Sequence, residues 1–170
     1  MYDYKHLKFC PRCSEKLLKK IVFGRKRLVC GNCGYIIYRN AYPATSGILE
    51  NDGKILCLKR ARDPKKGLWA IPGGFIEYEE TAKQALKREF FEETGLKVNI
   101  KKLIGVYLFR SNPESNVLGP CYEVETIGGK LNIDKKESTN AKFFDINKLP
   151  KLAFKEHLKV ISDWRKIYGR

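Results

Sequence analysis

No apolar run in the 170 residues approaches the roughly 18 that a membrane-spanning helix needs, so the sequence predicts no such helix. Residues 1–8 lack the apolar stretch of a secretory signal, and the cytoplasm is the expected location. Low-complexity runs are missing too. The seven prolines and fourteen glycines are scattered, and a composition 43% hydrophobic and 12% aromatic supports a packed core, not a disordered chain. Histidine is scarce: His6 and His157 both stand outside the acidic segment, deny it a histidine base, and are expected on the solvated surface. Acid is outnumbered, with 19 Asp+Glu against 34 Lys+Arg, a net charge of +15. Such an excess points to an acidic partner: nucleic acid, nucleotide or an anionic surface.

The excess belongs to the two ends. Residues 1–45 carry a net +8 and residues 146–170 a net +5, while 46–145 carry only +2 and cluster their acids. The basic first segment holds Cys10-Pro-Arg-Cys13 and Cys30-Gly-Asn-Cys33, two CxxC turns flanking Ile21–Val29, which reads as a hairpin around Gly24. Each turn sets two thiolates one ion apart, and two turns complete a closed Cys₄ shell for a structural Zn²⁺. In a reducing compartment this is preferred to two disulfides. For about forty residues, metal binding would supply most of the folding energy. The expected boundaries are a zinc ribbon over 1–40 and a larger domain over 41–170. Cys57 and Cys121, in apolar strand-like stretches, read as buried free thiols.

In the middle, strands are expected at Ala44–Glu50 and Lys54–Lys59 around an Asn51-Asp52-Gly53 turn, followed by a Gly/Pro-punctuated loop, Gly67–Phe75. A helix follows, opening at Glu80 or Thr81 and stopping at Gly95. On a helical wheel Glu92, Glu89 and Glu93 share a side with Ala82, Ala85 and Leu86, the inward side, while Phe91 falls unaccountably among the polar residues. Three local rules are broken there together: Glu89 and Glu93 repel at i, i+4, all three acids approach the negative end of the helix dipole, and all face the packed side. A divalent cation removes these penalties at once, and hard carboxylate oxygens suit Mg²⁺ or Mn²⁺.

Gly74, Glu80, Arg88-Glu89-Phe90, Glu92-Glu93 and Gly95-Leu96, at these spacings, resemble the Nudix box with every defining position filled. The resemblance runs from about Tyr42 to Leu149, and the ribbon is similar to that of the NADH pyrophosphatase branch. It implies an α/β/α sandwich around a mixed sheet and Mg²⁺-dependent hydrolysis of a nucleoside diphosphate linked to another moiety. It further implies Glu89 and Glu93 as metal ligands with Glu92 assisting, the Gly73 carbonyl as an added ligand, Arg88 orienting the carboxylates, and Glu80, Gly74 and Gly95 steadying the loops. Glu137 matches one more family acid before the last strand, as a third ligand or alternative base. Tyr38 matches a tyrosine that touches substrate in ribbon-bearing relatives, or packs as a strand aromatic.

Chemistry agrees with the resemblance: metal ions neutralise a diphosphate and acidify a water, and a carboxylate takes its proton for in-line attack on phosphorus. NADH-specific relatives carry a Ser-Gln-Pro-Trp-Pro-Phe-Pro-like signature, of which Tyr107–Glu114 keeps only Ser-x-Pro. Relatives that cleave ADP-ribose or FAD fit better, with AMP as product. Two rivals stand: action on 5′-capped RNA ends, and a nucleic-acid-binding module led by the hairpin tip Arg25-Lys26-Arg27. Phe154, Leu158, Ile161, Trp164 and Tyr168 recur at helical spacing, which predicts a C-terminal packing helix in preference to a homodimer or RNA surface.

Overall fold

A computed structural model describes residues 6–110 and 115–169. The Ser-x-Pro remnant at Ser111–Pro113 lies outside them. The first unit is a three-stranded antiparallel sheet, β1 (Leu17–Val22), β2 (Arg25–Cys30) and β3 (Ile36–Ile37), with the expected hairpin turning at Phe23-Gly24. Among the described residues its core cluster is Cys10, Leu17, Leu28 and Cys30, with Leu7 and Ile37 against them. So small a core does not hold about forty residues without a further tie.

The second unit is built on β4 (Tyr42–Asn51) and β5 (Lys54–Arg60), joined by the Asp52-Gly53 turn in which both residues take positive φ, the geometry that matches strand twist. The stretch expected to be loop at Gly67–Phe75 carries two short strands, β6 (Trp69–Ala70) on β5 and β7 (Gly73–Phe75) on β4. After helix α1 (Ala82–Thr94) come β8 (Leu96–Phe109), β9 (Val117–Gly129), β10 (Ser138–Asp145) and helix α2 (Lys155–Ile167). The sheet order is β10-β5-β4-β9-β8, mixed because β4 and β9 run parallel while the other pairs are antiparallel.

Strand residues alternate between two cores, as a pleat with both faces covered requires. Leu49, Leu56, Tyr122 and Val124 pack under α1 with Leu86 and Phe90. Their neighbours Ile48, Ile55, Cys57 and Cys121 pack on the other face with Val160, Ile161 and Trp164 of α2. The result is the three-layer α/β/α sandwich implied by the box, preceded by the ribbon. Phe90 is fully buried, and Gly47 of β4 lies so close beneath it that an added Cβ would stand 2.7 Å from its ring. Removing that ring costs about 3–5 kcal/mol. Cys57 and Cys121 are buried free thiols pushed up to about 12 by burial, as expected. Among the described residues no helix is long and apolar enough to cross a membrane.

Candidate active site and metal centre

Helix α1 begins where its sequence says it should. Thr81 accepts from the Gln84 N–H, and the Gln84 side chain accepts from the Thr81 N–H, a capping box that closes two orphan donors. It ends at Gly95, left-handed at φ 69°, whose N–H bonds Phe91 O at 2.8 Å. Between these caps Arg88 acts as a hub. Its Nε and Nη2 reach the two oxygens of Glu80 at 2.6 and 3.0 Å, and Nη2 also holds the Phe75 carbonyl at 3.0 Å. Nη1 donates at 2.9 Å to both Glu89 Oε1 and Glu92 Oε2. One guanidinium thus ties the loop before the helix to two carboxylates on it. Such charge-assisted pairs fix geometry better than neutral ones.

Glu93 is held separately, its Oε2 accepting the Gly73 N–H at 3.0 Å. Gly73 has φ 146°, backbone that favours glycine, and an added Cβ would strike Thr45 O and Ser46. At Gly74 a Cβ would occupy the space taken by the Glu89 carboxylate. Burial, with Glu89 and Glu137 nearby, pushes the Glu93 carboxyl up to about 8; burial also raises Glu89, against the pull of Arg88. Desolvated like charges of this kind are the environment a hard cation relieves. The oxygen-only donors and the cradle made by the missing Gly74 side chain fit Mg²⁺ or Mn²⁺.

Glu93 opens onto a cleft of about 480 Å³, whose lining does not include Glu89 or Glu92. Glu93, Gly73 and Gly74 line it, with Glu137 from the turn before β10, whose carboxylate meets Arg62 Nη1 at 3.5 Å. Arg60 of β5 lines it too, with its Nε on Pro64 O at 2.9 Å and its guanidinium 5.3 Å over the Phe154 ring.

In the ribbon, Cys10, Cys13, Cys30 and Cys33 bring their sulfurs within 4.8 Å of one another, the one such group among the described residues. The separations 3.7 Å (Cys10–Cys33), 3.4 Å (Cys13–Cys30) and 3.5 Å (Cys13–Cys33) are non-bonded, so all four are thiols. A tetrahedron with Zn–S near 2.3 Å has edges of about 3.8 Å, which these spacings approach. Backbone N–H groups of Arg12 and Cys33 point at Cys10 Sγ and Cys30 Sγ, each at 3.4 Å, and the latter pulls the Cys30 thiol down to about 6.

Residues 42–164 match the NUDIX domain model and residues 8–39 the Nudix N-terminal zinc-ribbon model. The chain belongs to the Nudix hydrolase family. An ADP-ribose pyrophosphatase of Methanocaldococcus jannaschii is 42% identical over 159 residues, covering 92% of this chain and 86% of the relative. The NAD-capped RNA hydrolase NudC of Vibrio atlanticus is 30% identical over 86% of this chain, which spans only 52% of that protein. A Nudix hydrolase structure from Nitrosomonas europaea superposes with a TM-score of 0.81 at 28% identity, covering 96% and 94% of the two chains. The protein is a Nudix pyrophosphohydrolase, and α1 lies within the matched domain.

Sequence reasoning placed some Nudix-site residues differently from the structure. Glu92 is not inward: its side chain is 56% exposed against 13% for Glu89, because it sits at the edge of the shared side, where only Arg88 holds it. Phe91 is exposed, in keeping with its polar-side position. Tyr38 is 50% exposed beneath Arg27 (4.5 Å to the ring centroid), so it is not core, and it is not among the residues lining the cleft. His157 is the clearest correction. Expected in solvent, it is 5% exposed and lines the cleft. The α2 stripe is His157, Val160, Ile161 and Trp164, with Leu158 turned outward and Tyr168, past the helix end, half-exposed against Trp164 and bonded through its hydroxyl to Glu123. That i, i+3, i+4, i+7 spacing was the signal available for His157. For Arg60, Arg62 and Phe109 no local pattern marked a role.

Proposed function

We propose that the protein hydrolyses the diphosphate of ADP-ribose or a similar ADP-linked ester, releasing AMP and the other phosphate half. The supporting observation is Glu93 of α1, which lines a cleft with Gly73, Gly74, Glu137, Arg60 and Arg62 while Arg88 holds Glu89 and Glu92 on the same helix. Glu89 and Glu93 would hold the catalytic cation with the Gly73 carbonyl, and Glu137 would complete the set from across the cleft. When bound, Mg²⁺ or Mn²⁺ supplies charge neutralisation to the diphosphate and lowers the pKa of a water. Glu92, the accessible carboxylate beside Glu89, accepts the proton as water attacks one phosphorus and the bond to the bridging oxygen breaks. Arg88 keeps Glu89 and Glu92 in place, and Glu80 and Gly95 fix the loop and the helix end. In the ribbon Zn²⁺ has a structural role, and free thiols suit a cytoplasmic setting.

The choice of ADP-ribose is supported by the M. jannaschii relative, whose likeness extends over 92% of this chain. A panel of ADP-ribose, FAD and NADH with Mg²⁺, scored by AMP release, tests it: ADP-ribose should turn over fastest. Undiminished activity in Glu92→Gln would refute the role given to that residue. If every substrate fails, the basic ribbon gains weight as a nucleic-acid module. That second reading has its own support in Arg25, Lys26 and exposed Phe23 at the hairpin tip, and in the name of the NudC relatives. It requires RNA affinity that falls steeply with salt.

A further inference from the structure

The four carboxylates differ in how firmly the protein holds them. Glu89 and Glu92 share Arg88, itself fixed by both oxygens of Glu80 and by the Phe75 carbonyl, and Glu93 rests on a backbone N–H. Glu137 is different. Its Oε1 meets Arg62 Nη1 at 3.5 Å, and the two side chains are 46% and 61% exposed. An exposed pair of this kind is worth no more than about a fivefold change in an equilibrium. The turn that carries Glu137 does not depend on it. The N–H groups of Glu137 and Ser138 both bond Asp134 O, at 3.1 and 2.9 Å, and the Lys136 N–H bonds Asp134 Oδ1 at 2.8 Å. The Glu137 carbonyl accepts the Ala61 N–H at 2.8 Å, and the Asn132 N–H bonds Thr94 O at 2.9 Å, at the end of α1. Backbone is thus tied to β5 on one side and to α1 on the other, while the carboxylate can change partners.

Arg62 and Glu137 both line the cleft. Arg62 Nε, on Lys136 O at 2.8 Å, anchors the guanidinium beside the turn, so the Nη1 ion pair is the contact open to exchange. Phosphate oxygens attract a guanidinium more strongly than one carboxylate oxygen at 3.5 Å, because they accept it bidentately and carry more charge. Glu137 in turn bears on the acids of α1: its charge helps to raise both Glu89 and Glu93. Paired with Arg62 it repels them less. Unpaired, it is a third like charge at the cleft, the situation a hard cation relieves. We propose that Arg62 is a substrate-operated latch on Glu137: it holds the carboxylate until a diphosphate enters, exchanges it for phosphate oxygens, and so releases Glu137 to join Glu93 as a ligand. The latch rests on Glu137 as a ligand in a diphosphate-cleaving site, and adds the order in which that site is completed, substrate first and full ligand set second.

The affinity of the zinc-loaded full-length chain for Mn²⁺, followed by water-proton relaxation, tests the latch without turnover. Arg62→Met removes the charge from an exposed side chain, and because Glu137 is then already released, Mn²⁺ alone should bind about threefold tighter. In a Glu137→Gln background the same substitution should have almost no effect. With a saturating ADP-ribose analogue in which CH₂ replaces the bridging oxygen, the latch is open in the parent too, and the advantage of Arg62→Met should be lost. The latch is refuted if Arg62→Met weakens Mn²⁺, as a mere clip on the turn would, or leaves it unchanged, as a group that only binds phosphate would. It is refuted equally if the tightening persists in Glu137→Gln, if it persists with the analogue, or if the analogue does not bind. Should Glu137→Gln leave the Mn²⁺ affinity of Arg62→Met unaltered, Glu137 is no ligand and the latch falls with that role. A chain that shows the full Mn²⁺ pattern yet cleaves nothing overturns the hydrolytic reading alone, and one that cleaves ADP-ribose with Mn²⁺ affinity indifferent to Arg62 overturns the latch alone.

Discussion

The ribbon gathers four metal-seeking side chains in two short turns, the Nudix helix gathers three and takes a fourth, Glu137, from the turn before β10, and the two arrangements are opposites. In the ribbon the four sulfurs already stand near tetrahedral spacing, with two backbone N–H groups aimed at them and little else to pack. On the Nudix side the carboxylates are kept apart by protein partners: Arg88 holds Glu89 and Glu92, Gly73 holds Glu93, and Arg62 holds Glu137. The first would form a closed shell around an ion that substitutes for a core. The second keeps its geometry on a helix that is already packed, leaving positions open for substrate. Softness of ligand and role in folding change together.

Breaking that contrast is most direct at Glu93. Glu93→Gln removes the deepest carboxylate while keeping its shape, and kcat should fall by about 10³-fold with the ribbon's zinc content unchanged. Gly74→Ala should come next. The new methyl displaces the Glu89 carboxylate that Arg88 holds at 2.9 Å, so activity should drop about 10²-fold while Tm hardly moves. Cys13→Ser should have the converse outcome. Zinc content falls and the ribbon's amides lose protection from hydrogen exchange, while ADP-ribose turnover falls by no more than about tenfold. If turnover vanished with the ribbon, the two units would not be separable in the way drawn above.

The smallest effect is on pH. The Glu93 carboxyl ordinarily titrates at 4.5 and is raised to about 8 in the fold, so between these values the folded state keeps a proton that the unfolded chain has released. Metal-free stability from this group is full below 4.5 and is lost as pH rises through 8. Thermal melts should show a Tm that falls across that window, a fall absent in Glu93→Gln and reversed by Mg²⁺ at pH 8.

What could be read from sequence was what lies close along the chain. The CxxC pairs and the stretch from Gly74 to Leu96 hold their spacing by local turns and one helix, so pattern and geometry coincide. Glu92 shows the limit: a helical wheel assigns it a side but not the edge of the buried stripe. The strands β6 and β7 were hidden because two or three residues become a strand only through pairing with β5 and β4. His157 was lost by a phase error, since Phe154 caps α2 without belonging to it and Tyr168 lies past its end. Arg60, Arg62 and Phe109 come to line one cleft with Glu93 only after the sheet has assembled, and no periodicity announces it.

The contact of Gly47 with Phe90 has a consequence for how this enzyme tolerates inherited change. Phe90 rests on bare backbone, one position along from Glu89, so the height of the helix above the sheet is set by the absence of a single methyl on the side of the strand away from the cleft. A variant at 47 would carry α1 outward with its glutamates, and displacement of about 1 Å is enough to cost about 10² in rate. In a survey of natural or laboratory variants, such a lesion would be classed with catalytic defects although it touches no substrate. The strand floor beneath the helix is in effect a gauge against which the reacting groups are set.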